Sequence, residues 1–271
     1  MKTIIRSIAT AVSCALLLGA CSQPKQLESQ TGKPVRIILV GDSTMATKSG
    51  YGDALCARFK PELTCLNLAK GGRSSGSYRA EGSWDVVQKL MTGNAQFSQT
   101  LVLIQFGHND QPGKPGRSTD LATEFPVNMA GYVNDVQAAG AQAVLVTPLT
   151  RRSFKGTQLQ NDLRPWAEAS IKVAANKHVP MIDLNAISYS AVQTMGEAEA
   201  DTLAMAPPPS PAALPAEAGD LAKTERAGAA KSAFDRTHLG SKGAAHFSAM
   251  VLKELLLVAP NLQAHVNAGN R

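Results

Sequence analysis

Val35-Arg36-Ile37-Ile38-Leu39-Val40-Gly41-Asp42-Ser43-Thr44 is the stretch that decides the architecture. Its first six residues are a β-branched, apolar run that ends at Gly41, which reads as a buried strand. Similar runs recur at residues 63 to 68, 101 to 105, 143 to 147 and 179 to 184. Between them, helical spacing marks roughly 51 to 59, 83 to 91, 121 to 139 and 162 to 177, and a last such segment covers 241 to 258. Strands that alternate with helices favour right-handed βαβ units. The pattern therefore predicts a three-layer α/β/α sandwich around five parallel strands, with functional groups at the strands' carboxyl ends.

The chain has 271 residues, of which 44% are hydrophobic, enough for a sizeable core, and one domain at 35–260 is expected. Ahead of it, Lys2 and Arg6 precede an apolar run from Ile8 to Leu18, and Leu18-Gly19-Ala20-Cys21 follows. The run is too short to span a bilayer, and the layout over residues 1–20 is that of a sorting segment. Its ending resembles a bacterial lipoprotein box, which implies cleavage before Cys21 and a diacylglyceryl group on that thiol. An ordinary secretory signal is the alternative, and both readings predict export. Ser22 after Cys21 resembles the outer-membrane sorting pattern, so the expected location is the outer membrane or the periplasmic face of the envelope. Residues 21–34 are polar, with two prolines, as a tether would be, and 261–271 read as a C-terminal tail.

Of 27 Lys and Arg, two fall in the sorting segment, leaving 25 against 21 Asp and Glu. Without a basic run or a nucleic-acid motif, this mild excess favours an acidic substrate or surface over DNA or RNA. Cys14 lies in the sorting segment, so apart from Cys21 only Cys56 and Cys65 remain. An oxidising compartment lets these two close a short loop; two buried thiols are the alternative. Residues 196–232 are rich in Ala and Pro and lack aromatic side chains. They read as a mobile surface insertion, with a lid or polymer-contacting arm as the alternative.

Ser43 follows the first strand on a turn that opens toward a helix, a placement that exposes a hydroxyl and also suits a helix cap. Asp235-Arg236-Thr237-His238 precedes the last helix. A short Asp-x-x-His turn can bring a carboxylate onto Nδ1 of the imidazole while Nε2 faces a nucleophile. No HExxH or CxxC ligand set accompanies the pair, so no metal is expected. Gly107-His108-Asn109-Asp110 follows the strand at 101 to 105, and an amide there can donate to a developing oxyanion. Gly71-Gly72 lets a backbone N–H approach closely. Gly72-Arg73-Ser74-Ser75-Gly76 also satisfies the G-x-S-x-G elbow of α/β-hydrolases. Only two strands precede Ser74, and a triad built on it would leave the Ser43 and Asn109 segments without a role.

Taken together, GDST at 41–44, GGRS at 71–74, GHND at 107–110 and DRTHL at 235–239 resemble the four blocks of the SGNH (GDSL) hydrolases. The Arg73-Ser74-Ser75 stretch, followed by Tyr78-Arg79, resembles the rhamnogalacturonan acetylesterases among them. The resemblance implies a flavodoxin-like SGNH fold and an acyl-enzyme mechanism that needs no cofactor. Ser43 is then the nucleophile, His238 the base and Asp235 its orienting partner. The oxyanion hole is formed by Ser43, Gly72 and Asn109. The implied substrate is an acetylated pectic polysaccharide such as rhamnogalacturonan. Arg73 and Arg79 are candidates to pair with its carboxylates, and Tyr51, Tyr78 or Trp84 to stack on its sugar rings. The alternatives are purely structural arginines; an SGNH esterase acting on lipid, thioester or xylan acetyl groups; and a lipid-anchored carbohydrate-binding protein without catalysis.

Overall fold

A computed structural model of the chain describes residues 32–208 and 234–270. The sorting segment at 1–20, Cys21, most of the tether and residues 209–232 of the Ala/Pro-rich stretch lie outside the described residues. The main sheet holds β1 (Val35–Gly41), β2 (Thr64–Asn67), β3 (Gln99–Gln105), β4 (Gln142–Val146) and β7 (Met181–Ile182). All are parallel, in the order β2-β1-β3-β4-β7. A small hairpin, β5 (Phe154–Lys155) and β6 (Gln158–Leu159), stands apart.

Strand periodicity sorts the first run onto two faces. Ile37 and Leu39 pack with Leu55 of α1 (Gly52–Cys56), Val192 of α6 (Leu184–Met195) and Phe247 and Val251 of α8 (Ser241–Val258). Ile38 and Val40 pack with α3 (Ser83–Met91), α4 (Glu124–Ala138) and α5 (Arg164–Lys177) through Trp84, Val87, Met129 and Val173. These are the outer layers expected of an α/β/α sandwich. The order reverses between β1 and β3, since β2 lies on one side of β1 and β3 on the other. Such a switch point opens a crevice at the strands' carboxyl ends. Ser43 follows β1 and Asn109 follows β3, so both stand at its mouth.

The run at 179 to 184 pairs only over Met181–Ile182. Pro180 has no N–H to donate, and Asp183 leaves the strand to cap α6, accepting from Ala186 N at 3.2 Å. Segment 196–232, expected as one mobile insertion, is folded over its first part. There α7 (Glu197–Asp201) buries Ala200, Leu203 follows with 1% exposure, and Asp201 accepts two 2.9 Å bonds from Arg236. The expected tail from 261 onward is also packed. Leu262 and Val266 are wholly buried, and Val266 bridges to Phe59. Cys56 and Cys65 form a disulfide between the end of α1 and β2.

Candidate active site

β1 runs into its turn through Asp42, which is fully buried. Its Oδ1 accepts from Thr44 N at 2.9 Å and Thr44 Oγ1 at 2.8 Å, and its backbone carbonyl accepts from Ala46 N at 3.0 Å. Asp42 Oδ2 lies 3.2 Å from His108 Nδ1. Burial alone would raise this carboxyl's pKa, but His108 and the Thr44 donors outweigh it and hold it below the usual range. Asp42 thus closes the turn that presents Ser43, and the serine is free to face elsewhere.

It faces His238. Ser43 Oγ lies 2.8 Å from His238 Nε2, and both residues are only 4% exposed. Asp235 sits behind the imidazole, with Oδ1 and Oδ2 at 3.0 and 2.9 Å from Nδ1. A proton on Nδ1 satisfies the carboxylate and leaves Nε2 to accept from the serine hydroxyl. The turn forms because Asp235 Oδ1 also accepts the N–H groups of Thr237 at 2.8 Å and His238 at 2.6 Å. Burial would raise the Asp235 pKa, yet the His238 imidazole and these N–H groups together hold it far below the ordinary carboxylate value. Leu239 N donates to Ser49 O at 2.9 Å, and Ser49 Oγ donates to Ser43 O at 2.8 Å, which braces the two segments against each other. Gly240 passes so close to Ala204 that a Cβ would sit 2.4 Å from its carbonyl oxygen.

Gly72, after β2, has φ +78°, a left-handed conformation that favours glycine. Among the described residues, no acceptor takes the N–H of Ser43 or of Gly72. Asn109 is 5% exposed; its Nδ2 donates to Arg73 O at 3.0 Å, and its Oδ1 accepts from Arg117 Nη1 at 3.0 Å. Arg117 thereby fixes which end of the amide carries the donors, and Nδ2 keeps a second hydrogen for another acceptor. Asp110 binds the segments that carry Gly72 and Asn109 together: its Oδ1 accepts from Ser75 N, Ser75 Oγ and Thr119 Oγ1 at 3.0, 2.6 and 3.0 Å.

The model of the GDSL-like Lipase/Acylhydrolase family matches residues 39–245, a span that contains every one of these groups. The chain belongs to that family. It is an ester hydrolase. The chain is 31% identical over 179 residues to the rhamnogalacturonan acetylesterase RhgT of Bacillus subtilis, covering 63% of this chain and 74% of that protein. The crystal structure of the YxiM protein of Bacillus subtilis superposes with TM-score 0.61 at 21% identity, over 82% of this chain and 56% of that longer one. A variant of Axe2, an acetyl xylan esterase from Geobacillus stearothermophilus, superposes with TM-score 0.52 at 16% identity, over 84% and 97% of the two chains. At these identities the two structures show the shared fold alone.

Within this GDSL-like hydrolase the aromatic residues expected to meet sugar are not at the surface. Tyr51, Tyr78 and Trp84 are at most 1% exposed. Their polar atoms are spent inside, with Tyr51 OH donating to Gln105 Oε1, Tyr78 OH to Leu68 O and Trp84 Nε1 to Asp135 Oδ2. They fill the core because their elements turn inward, where Tyr78, Phe106, Tyr132 and Trp84 form a chain of ring contacts. Arg79 belongs to the same scaffold. Its guanidinium pairs with Asp135 at 2.9 Å and lies 4.1 Å from the Tyr132 ring centroid. Arg73 stays half-buried next to Gly72, with its Nε on both oxygens of Glu81.

Arg152 is the site's main surprise. It is wholly buried, and its Nη2 donates to the carbonyls of Asp235 at 3.0 Å and His238 at 2.8 Å, with Nη1 3.5 Å from that of Thr237. Its own N–H donates to Arg236 O at 2.9 Å. Burial lowers this guanidinium's pKa to about 10. The only sequence sign was an arginine pair, Arg151-Arg152, shortly after the fourth strand.

Proposed function

We propose that this chain removes O-acetyl groups from an acetylated pectic polysaccharide through an acyl-enzyme on Ser43. The observation that carries the chemistry is the 2.8 Å approach of His238 Nε2 to Ser43 Oγ with Asp235 on the far side of the ring. Ser43 Oγ attacks the ester carbonyl as its proton passes to His238 Nε2, and the charge that develops on the imidazolium faces an ionised Asp235. The oxyanion meets the N–H groups of Ser43 and Gly72 and the second Nδ2 hydrogen of Asn109. His238 returns the proton to the departing sugar hydroxyl. Water then enters by the same path and releases acetate.

The substrate class rests on the rhamnogalacturonan acetylesterase named above, and on the Lys70, Arg73 and Glu81 cluster. That cluster carries one net positive charge beside the Gly72 loop, where Arg73 can share its guanidinium between Glu81 and a substrate carboxylate. Export, with a lipid anchor on Cys21, is part of the same proposal and is supported by the Leu-Gly-Ala-Cys box alone.

Acetate release from acetylated pectins, xylans and p-nitrophenyl acetate, combined with fluorophosphonate labelling, tests the reading. Ser43→Ala abolishes labelling and turnover, while Ser74→Ala retains labelling, since Ser74 Oγ is buried and bonded to Ser77 N. Labelling lost only in the Ser74 variant overturns the assignment. Release confined to xylans overturns the pectic substrate and leaves the chemistry standing.

A further inference from the structure

Arg236 stands between Asp235 and His238 in sequence, yet its guanidinium reaches out to α7. Its Nε and Nη2 donate to Oδ1 and Oδ2 of Asp201, both at 2.9 Å, as a two-bond fork on one carboxylate. Nη2 also meets Glu197 at 2.7 Å. Glu197 and Asp201 are the first and last residues of α7, and their spacing of four puts both carboxylates on one face of that helix. Asp201 is only 6% exposed, and a charge so placed needs its partner.

The joint is larger than this ion pair. Gly240 N donates to Leu203 O at 3.0 Å, and a Cβ on Gly243 would sit 2.4 Å from the same oxygen, so the backbone after α7 lies directly against the start of α8. Ala200 and Leu203 belong to the same buried cluster as Leu239 and Phe247. α7 is therefore seated on the scaffold, and Asp201 offers Arg236 a fixed point. The backbone of Arg236 is fixed as well, because its carbonyl accepts from Arg152 N at 2.9 Å. Arg152 thus holds the turn along its backbone, and α7 holds it through the one charged side chain between Asp235 and His238.

Such holding bears directly on the meeting with Ser43. His238 Nε2 stands 2.8 Å from Ser43 Oγ, across 195 residues of chain. A shift of the turn by about 1 Å takes the two atoms out of hydrogen-bond range.

We infer that Arg236 is a positioning residue for His238: through the Asp201 carboxylate it ties the Asp235–His238 turn to α7 and keeps Nε2 on the Ser43 hydroxyl. The inference rests on the reading of Ser43 and His238 as nucleophile and base, and is independent of the polysaccharide. A tie that served stability alone would move the melting temperature and leave the rate of a folded variant where it was.

Fluorophosphonate labelling reports Ser43 without any sugar, and p-nitrophenyl acetate hydrolysis separates kcat from KM. Both are read well below the melting temperature of each variant. Arg236→Gln and Asp201→Asn should each slow labelling and lower kcat by about tenfold with KM unchanged, less than the roughly 10²-fold cost of a 1 Å misplacement because Arg152 still grips the turn. The losses should not add in the double variant, since each removes the same contact. Arg236→Lys keeps the charge without the fork and should recover part of kcat. Lys242→Gln is the control. It removes exposed bonds from α8 to Glu199 and Thr202, at 2.6 and 2.8 Å, and should leave both rates unchanged. Asp201→Asn preserves side-chain shape, so it carries the test if Arg236→Gln does not fold. Folded Asp201→Asn or Arg236→Gln enzymes within about twofold of wild type in labelling and kcat overturn the inference, whatever their melting temperatures. So do losses that add in the double variant, or an equal loss in Lys242→Gln. Labelling at the wild-type rate in His238→Ala overturns the reading of His238 as the base, and is a separate result.

Discussion

Replacing Arg152 with Met asks how the Asp235–His238 turn is held. The substitution removes two well-formed bonds to the carbonyls of Asp235 and His238 and a third, long one to Thr237. Hydrogen bonds from a charged donor contribute about 1.5–3 kcal/mol each. The full sum is not lost, because burying the guanidinium is itself costly, as its lowered pKa of about 10 records. A net stability loss of about 1–3 kcal/mol is expected, comparable with other buried polar truncations. Turnover should suffer more. Arg152 touches no substrate, but without it the turn depends on Asp235's own bonds, and a displacement of His238 by about 1 Å costs on the order of 10²-fold in rate. The assay is kcat and KM on p-nitrophenyl acetate for Arg152→Met and Arg152→Lys, with thermal melts of each. The expected result is a large fall in kcat with KM unchanged in the Met variant, and partial recovery with Lys, which keeps the charge and loses the fork. A folded Arg152→Met enzyme with kcat within about twofold of wild type would refute the reasoning.

Asn109→Ala should lower kcat by about 10²- to 10³-fold with little change in KM, and Arg117→Met should reproduce part of that loss, both read from steady-state kinetics. Burial raises the Asp110 pKa from 3.8 to about 7 against the opposing pull of Ser75 and Thr119. A carboxyl whose folded pKa is raised gives stability that is present below the unfolded pKa and lost as pH rises through the folded one. The wild type's Tm should therefore fall relative to Asp110→Asn between about pH 4 and pH 7 and run parallel to it above; parallel curves throughout would contradict this. The Cys56–Cys65 disulfide closes a loop of sequence separation 9, so the double Ala variant should lose about 2–3 kcal/mol in denaturant unfolding.

The strand run at 35–41 and the alternation of Ile37 and Ile38 between faces were legible because burial on a pleated strand has a strict period of two. The ends of β1 and β3 were legible for the same reason, and with them the places of Ser43 and Asn109. Contacts set by packing across the sheet were not. Nothing in the local sequence says that Trp84 turns toward Tyr132, or that Arg79 is spent on Asp135. The helix α6 was missed, although Asp183 as its cap and Gly196 at its end were visible signals. In residues 196–232, composition alone suggested mobility over the whole length. The two anchors of its first part, Leu203 and the Asp201–Arg236 pair, are single residues whose partners lie beyond the Ala/Pro stretch.

Two His–Asp pairs lie at the carboxyl ends of this sheet, and geometry separates their tasks. His108 Nδ1 stands 3.2 Å from Asp42, and His238 Nδ1 stands 2.9 Å from Asp235. The sequence pointed to the second pair alone, through the short Asp-x-x-His turn before the last helix, and gave no sign that His108 meets Asp42. The difference lies on the other nitrogen. His238 Nε2 faces the Ser43 hydroxyl at 2.8 Å, whereas His108 Nε2 is buried with no hydrogen-bond partner among the described residues. Asp42 also spends its second oxygen on Thr44, whose hydroxyl accepts from Gln105, which in turn accepts from Tyr51. That chain of bonds runs from the turn after β3 through the turn after β1 to the residue that precedes α1, so it locks the Ser43 loop onto the sheet. Asp235, by contrast, spends its remaining capacity on the N–H groups of its own turn. One pair therefore fixes where Ser43 sits, and the other meets its hydroxyl, as the proposed proton transfer requires.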